Sequence, residues 1–291
     1  MREGLREIAR EYQVPFERVL LEYIREEVLS VLFERGFGDC LWLRRPRTIG
    51  TNSFTGFEDR RLSFLYRESE RILPRDGFVP GCAYGEDFLN QLMSHVLFNM
   101  KNIRIRSFKV QGHILDLDLE WERMYVPMEL EILPHHREGI TPTQSKVELP
   151  ILHKSYMACS YPTEYEVADH MGEILSHLEL LGEMEHYLYT YEIFTKEAVE
   201  GTRLQSAVTS VLEKKGIRFT DENMQIVLRY RDYSYMKKKW KILLRRQHLL
   251  SPNWEKVIDK LSQALLPVWE TSKRGEIFFG DWMPEIGRYL D

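Results

Sequence analysis

"HILDLDLEW", residues 113–121, alternates without a break: Leu115, Leu117 and Leu119 fall on one face, and Asp116, Asp118 and Glu120 on the other. A strand with one buried and one solvated face reads this way. "IRIRSFKV" (103–110) before it and "MELEIL" (128–133) after it repeat the pattern. Three such strands predict a mixed or antiparallel sheet carrying a helix layer on one side. "CLWLR" (40–44) is a further short apolar strand. "GFEDRRLSFLY" (56–66) is another, in which Leu62, Phe64 and Tyr66 alternate with Arg61, Ser63 and Leu65.

Helical spacing frames these strands. Residues 1–35 read as one helix, with Phe16, Val19, Leu20, Tyr23, Ile24, Val28 and Leu32 on its apolar side and its charges opposite, stopped by Gly36 and Gly38. A second helix is expected near 86–100. From about residue 160 the chain becomes helix after helix. Thr163 and Glu166 form the spacing of a capping box, Thr202 to Gly216 bounds another helix, and Ser251-Pro252 opens a third. The stretch between, about 140–162, holds three prolines and reads as a wrapped connection. The layout is α+β: a sheet-and-helix domain over 1–158, then an all-helical domain over 159–291.

Composition narrows the function classes. The 291 residues are 43% hydrophobic and 29% charged with a net charge of -5, which argues against a chain that coats nucleic acid over its whole surface but leaves room for a local basic groove. Cys40, Cys82 and Cys159 are too sparse for a disulfide framework and suit a reducing, cytoplasmic setting. No stretch has signal-peptide or membrane-span character. Neither a P-loop nor a GxSxG pattern occurs.

Three segments together resemble the AbiEii-type nucleotidyltransferase toxins, bacterial proteins of toxin–antitoxin and phage-defence systems. They are "LLEYIREEVLSVLFERGFGDCLWLRRP" (20–46), "GHILDLDLEWERMYVP" (112–127) and "YPTEYEVADHMGEILSHLELLGEMEHYLYTYEIF" (161–194). "KKKWKILLRR" (237–246) is similar to that family's late tryptophan helix. The resemblance spans roughly residues 5–270 and implies a DNA-polymerase-β-like nucleotidyltransferase fold, with the site in a cleft between the two halves. In such enzymes two carboxylates on one strand and a third nearby hold Mg²⁺ against a triphosphate.

Carried over position by position, most catalytic letters are missing. The family's Lys-Gly-Gly turn falls on Arg44, Arg45 and Pro46, and its metal-binding pair on Arg61 and Ser63. The third aspartate falls on Asp118, or on Asp116 in a shifted register. The glutamate–lysine pair falls on Asp169 and His170, and a late aspartate on His186. The resemblance therefore implies a pseudoenzyme that needs no cofactor and acts by binding, with a protein partner from the same operon and RNA as a further candidate. The alternative is an active enzyme using Mg²⁺ and NTP through Asp116, Asp118 and Glu129. In the first reading Arg61 and Asp118 face each other on adjacent strands as an ion pair, which spares Asp118 an unpaired, partly buried charge.

Other residues carry open alternatives. Glu129 and Glu131 read as the solvated face of the sheet, or as part of a metal nuclease. His135-His136 lacks the three or four converging ligands of a metal centre. Arg44, Arg45, Arg47, Arg60 and Arg61 can bind a phosphate or form an ion-pair network. Lys237, Lys238, Lys241 and Arg245 share one helical face, suited to RNA, an acidic partner or plain solvation. The aromatic run at 276–291 must be buried on its own domain or on a partner.

Overall fold

The computed structural model describes residues 1–45, 49–55, 60–67, 85–134, 139–247, 249–250 and 252–290. Two compact units divide the chain, Met1–Tyr161 and Pro162–Asp291.

In the first unit the elements run α1 (Arg2–Glu11), α2 (Phe16–Glu34), β1 (Leu41–Arg45), β2 (Arg61–Tyr66), α3 (Glu86–His95), β3 (Arg104–Gln111), β4 (Ile114–Trp121), β5 (Met124–Pro134), β6 (Thr143–Leu149) and β7 (Lys154–Ser160). The expected single N-terminal helix is two helices. Gln13 adopts a positive φ of 53°, and Pro15, which has no N–H to donate to a helix, caps α2. The expected wrapped connection is a β-hairpin, β6 and β7 pairing antiparallel from Thr143↔Ser160 to Leu149↔Lys154. Its prolines stand outside the strands, at 142, 150 and 162, where a missing donor breaks no ladder bond.

The seven strands form one mixed sheet in the order β3-β4-β5-β2-β1-β7-β6. Pairs β3/β4, β4/β5, β1/β2 and β6/β7 are antiparallel, while β2/β5 and β1/β7 are parallel. The β4–β5 hairpin closes through Glu122 and Arg123, both at positive φ, the twist that a two-residue turn needs to match its strands. Leu115, Leu117 and Leu119 of β4 are fully or almost fully buried, with Leu130 and Ile132 of β5 and Leu62 and Phe64 of β2, against one face of α2 and α3. The alternation thus sends the leucines of "HILDLDLEW" into the core as expected, and its acids to the opposite face.

The second unit holds α4 (Thr163–His177), α5 (Glu185–Lys196), β8 (Val199–Glu200), α6 (Gly201–Lys214), α7 (Asp221–Arg229), α8 (Ser234–Arg246), α9 (Trp254–Lys273), β9 (Asp281–Met283) and β10 (Arg288–Leu290). It is helical but not wholly so, since β10-β9-β8 make a small antiparallel sheet. Two caps differ from expectation. Thr163 donates to Glu197 at 3.0 Å instead of closing a box with Glu166. Asn253 caps α9, accepting from Lys256 N at 3.0 Å, and Ser251 lies outside the described residues. Each of four buried tryptophans donates its indole N–H to a backbone carbonyl: Trp240 to Pro252, Trp254 to Tyr230, Trp269 to Thr220 and Trp282 to Phe194. The aromatic C-terminal run is accounted for in part by this core. Trp282 is fully buried, and Phe278 packs edge-on against Tyr289 at 4.8 Å. Among the described residues no helix is long and apolar enough to cross a membrane.

Candidate functional site

The polar face of the first unit's sheet gathers the residues to which the resemblance points. Register builds two rows across four strands. Lys109, Asp116, Glu129 and Arg61 are successive cross-strand partners on β3, β4, β5 and β2. In the next row Gln111, Ile114, Glu131 and Ser63 align, with Arg45 of β1 beyond Ser63. Side chains directly opposite on one face are within contact distance, so the register alone sets the arginine strand against the glutamate strand.

Arg61 is the centre of this face. Its Nη2 and Nε lie 2.7 and 2.8 Å from Glu129 Oε2, and its Nη1 lies 3.2 Å from Glu131 Oε1. Ser63 is buried and donates to Glu131 Oε2 at 2.5 Å. One guanidinium thus answers two carboxylates and a hydroxyl completes the second. Charge-assisted, forked contacts of this kind are the strong class of hydrogen bond.

The expected Arg61–Asp118 pair does not form. β5 lies between β2 and β4, so Asp118 stands opposite Pro127 on one side and Ser107 on the other, and it accepts from Ser107 Oγ at 2.5 Å. Asp116 accepts from Gln111 Nε2 at 2.6 Å. Glu129 and Glu131, read from the sequence as a solvated face or as part of a metal nuclease, are the partners of Arg61. Alternation assigns a residue to a face but does not say which strand lies next to it. A cavity of about 450 Å³ opens on this face, lined among others by Arg60, Ser107, Lys109, Asp116, Asp118 and Glu129.

The donor set does not suit Mg²⁺. Arg61 and Ser63, the pair to which the resemblance points, are a cation and a hydroxyl, and they engage the carboxylates of Glu129 and Glu131. A divalent ion wants several free oxygen ligands. Among the described residues no three His, Cys, Asp or Glu side chains converge as ligands.

Arg44 and Arg45 belong to a strand, not a turn. The Arg44 guanidinium lies 5.5 Å from the centre of the Tyr161 ring, a cation–π contact. Pro46 and Arg47 lie outside the described residues, as do Cys82 and the His135-His136 pair. Among the described residues between β1 and β2, Gly50 has a positive φ of 69°, and a Cβ there would sit 2.2 Å from the Pro150 ring. Its N–H donates to Glu22 Oε2 at 3.1 Å.

That contact exposes a group that the sequence reading missed. Glu22, Arg25 and Glu26 of α2 are all buried, although α2 was expected to turn its charges outward. Arg25 contacts Glu22 within the helix. Glu26 accepts backbone N–H groups from Ile151 at 3.2 Å and Leu152 at 2.9 Å, pinning the β6–β7 turn. Burial pushes the Glu26 carboxyl up to about 7. Burial also raises Glu22, opposed by Arg25. The signal was present as three charges at i, i+3 and i+4 set among the apolar residues Leu20, Leu21, Tyr23, Ile24 and Val28.

In the second unit, His170 and His186 come together. Their Nδ1 atoms are 2.9 Å apart, so one ring donates and the other accepts. His170 Nε2 lies 3.1 Å from Glu166 Oε1, and both residues are almost fully buried. Tyr189 stacks on His170 at 5.4 Å. His170, one of the residues to which the resemblance points, is thus an enclosed imidazole between α4 and α5.

Of the basic face on α8, Lys237 turns away to pair with Glu255 Oε1 at 2.7 Å, while Lys238, Lys241 and Arg245 are exposed.

No family model matches the sequence, and no curated protein matches it. Among solved structures, the chain is similar to JHP933 from Helicobacter pylori, with 7% identity and a TM-score of 0.49, over 86% of this chain and 94% of that one. It is also similar to an H. pylori protein provisionally described as a nucleotidyltransferase, with 9% identity and a TM-score of 0.41, over 87% of this chain and 96% of that one.

Proposed function

We propose that this chain is a nucleotidyltransferase homologue without catalytic activity that works by binding. Its setting would be a bacterial anti-phage defence or toxin–antitoxin assembly with a protein encoded beside it. That setting follows from the resemblance to the AbiEii-type toxins. The observation that carries the loss of activity is Arg61. Its guanidinium lies between Glu129 and Glu131, and in this reading it takes the place of a metal ion. Nucleotidyl transfer relies on a divalent ion to neutralise the triphosphate. A fixed cation that already saturates the nearby carboxylates leaves no ligand set for one.

The test is incubation of the full chain with labelled NTPs, Mg²⁺ and a tRNA or protein acceptor. The expected result is no incorporation. Label transfer that disappears in Asp116→Ala, Asp118→Ala or Glu131→Gln would establish the active reading instead.

A further inference from the structure

We infer that α8 is a docking strip for single-stranded nucleic acid. This deepens the binding reading above by naming a ligand class, but it rests on the second unit alone.

Ser234–Arg246 carries four lysines, two arginines and no acid. Three of these cations are used inside the unit. Lys237 pairs with Glu255. Lys239 donates to the carbonyls of Glu179 and Leu181. Arg246 meets Glu185. The other three, Lys238, Lys241 and Arg245, face solvent and make no ion pair among the described residues. They stand at i, i+3 and i+7, along one side of the helix. Like charges at this spacing repel, and no acid on α8 relieves them. A polyanion laid along the strip removes that repulsion.

The neighbours of these cations indicate which polyanion. Tyr235, 47% exposed, and Ile242, 58% exposed, lie on the same side, three residues before Lys238 and four after it. Tyr235 is not a loose side chain. Its ring meets Tyr233 at 5.9 Å, and Tyr233 stacks at 5.9 Å and 26° on the buried Tyr230, whose hydroxyl donates to Glu179 at 2.7 Å. Three rings thus step from the core to the surface and end beside the cations. An acidic peptide needs only the charges. Exposed rings beside cations suit a chain that carries both phosphates and free base faces, and only unpaired strands offer such faces.

The test is fluorescence anisotropy of a labelled oligouridine of about 12 nucleotides, within the usual range of site sizes, titrated with the full chain. Binding is expected to weaken with salt, log K against log salt having a slope of about -2, since three contacts on a single strand contribute about 0.7 each. Reversing Lys238, Lys241 and Arg245 to glutamate should abolish binding, while Lys237→Ala should change it less than about twofold. Tyr235→Ala should weaken oligouridine binding about 10-fold and leave polyphosphate binding unchanged. These side chains are exposed, and circular dichroism checks that the variants keep their helices. No binding by the wild type, or binding that survives the triple reversal, overturns the proposal. Equal affinity for RNA and polyphosphate with Tyr235 inert also overturns it, and assigns the strip to an acidic protein. None of these readouts involves NTP transfer, so failure here and failure of the inactive-enzyme reading are separate results.

Discussion

Arg44, Arg45 and Arg61 in the first unit and Lys238, Lys241 and Arg245 in the second are both runs of cations beside aromatic residues, yet the fold treats them oppositely. Arg61 is tied to Glu129 and Glu131, and Arg44 lies over Tyr161. The three α8 cations stand in water. The difference comes from what each secondary structure places alongside. Parallel pairing of β2 with β5 sets Arg61 opposite Glu129 and Ser63 opposite Glu131. On α8 the neighbours at three and four residues include no acid. A positive residue is available to a ligand only where the fold supplies no acid of its own, and charge counting cannot see this.

A large effect is expected for the closed cluster. Arg61→Ala leaves Glu129 and the mostly buried Glu131 without their cation and should cost about 2 kcal/mol, in line with removing one member of a partly buried charged network. Urea denaturation measures it. A loss within about 0.5 kcal/mol, as for an ordinary surface change, would show that Arg61 is as free as the α8 lysines and would erase the contrast.

Glu26 sharpens the same contrast, because it is a buried carboxyl held by the backbone N–H groups of Ile151 and Leu152 and not by a cation. Its folded pKa, about 7, lies above the ordinary value of 4.5. The folded state therefore binds the proton more tightly than the unfolded chain. Stability from this group is fully present below about pH 4.5 and is lost as pH rises through 7, by up to about 3 kcal/mol. Glu26→Gln keeps one acceptor and no titration. Its stability deficit relative to the wild type should shrink between pH 5 and pH 7.5. A deficit that stays constant over that range would place the carboxyl outside the buried cluster.

The smallest effects belong to α8. Lys238→Ala and Lys241→Ala should each change stability by less than about 0.5 kcal/mol, and Lys237→Ala by slightly more, because it gives up the Glu255 pair. Larger losses at Lys238 or Lys241 would reveal structural partners for these side chains.

Much of the architecture was legible because side-chain alternation is a direct consequence of strand geometry. Leu115, Leu117 and Leu119 had to share a face, and they do. Strand order was not legible. Placing β5 between β4 and β2 depends on long-range pairing, and it redirected Arg61 from Asp118 to Glu129 and Glu131. Prolines at 142, 150 and 162 suggested an irregular connection, yet they bracket the strands of a hairpin. The meeting of His170 with His186 follows from how α4 packs on α5, which the spacing of the two residues does not encode.

In the binding reading proposed above, the Arg61 guanidinium stands in for a divalent ion between the β5 carboxylates. Titration of the full chain with Mn²⁺, followed by electron paramagnetic resonance, tests it most directly. The wild type is expected to leave the free-ion spectrum intact, and Arg61→Asp, which sets a third carboxylate beside Glu129 and Glu131, to take the ion up. Stoichiometric Mn²⁺ binding by the wild type, lost in Glu131→Gln, would contradict it.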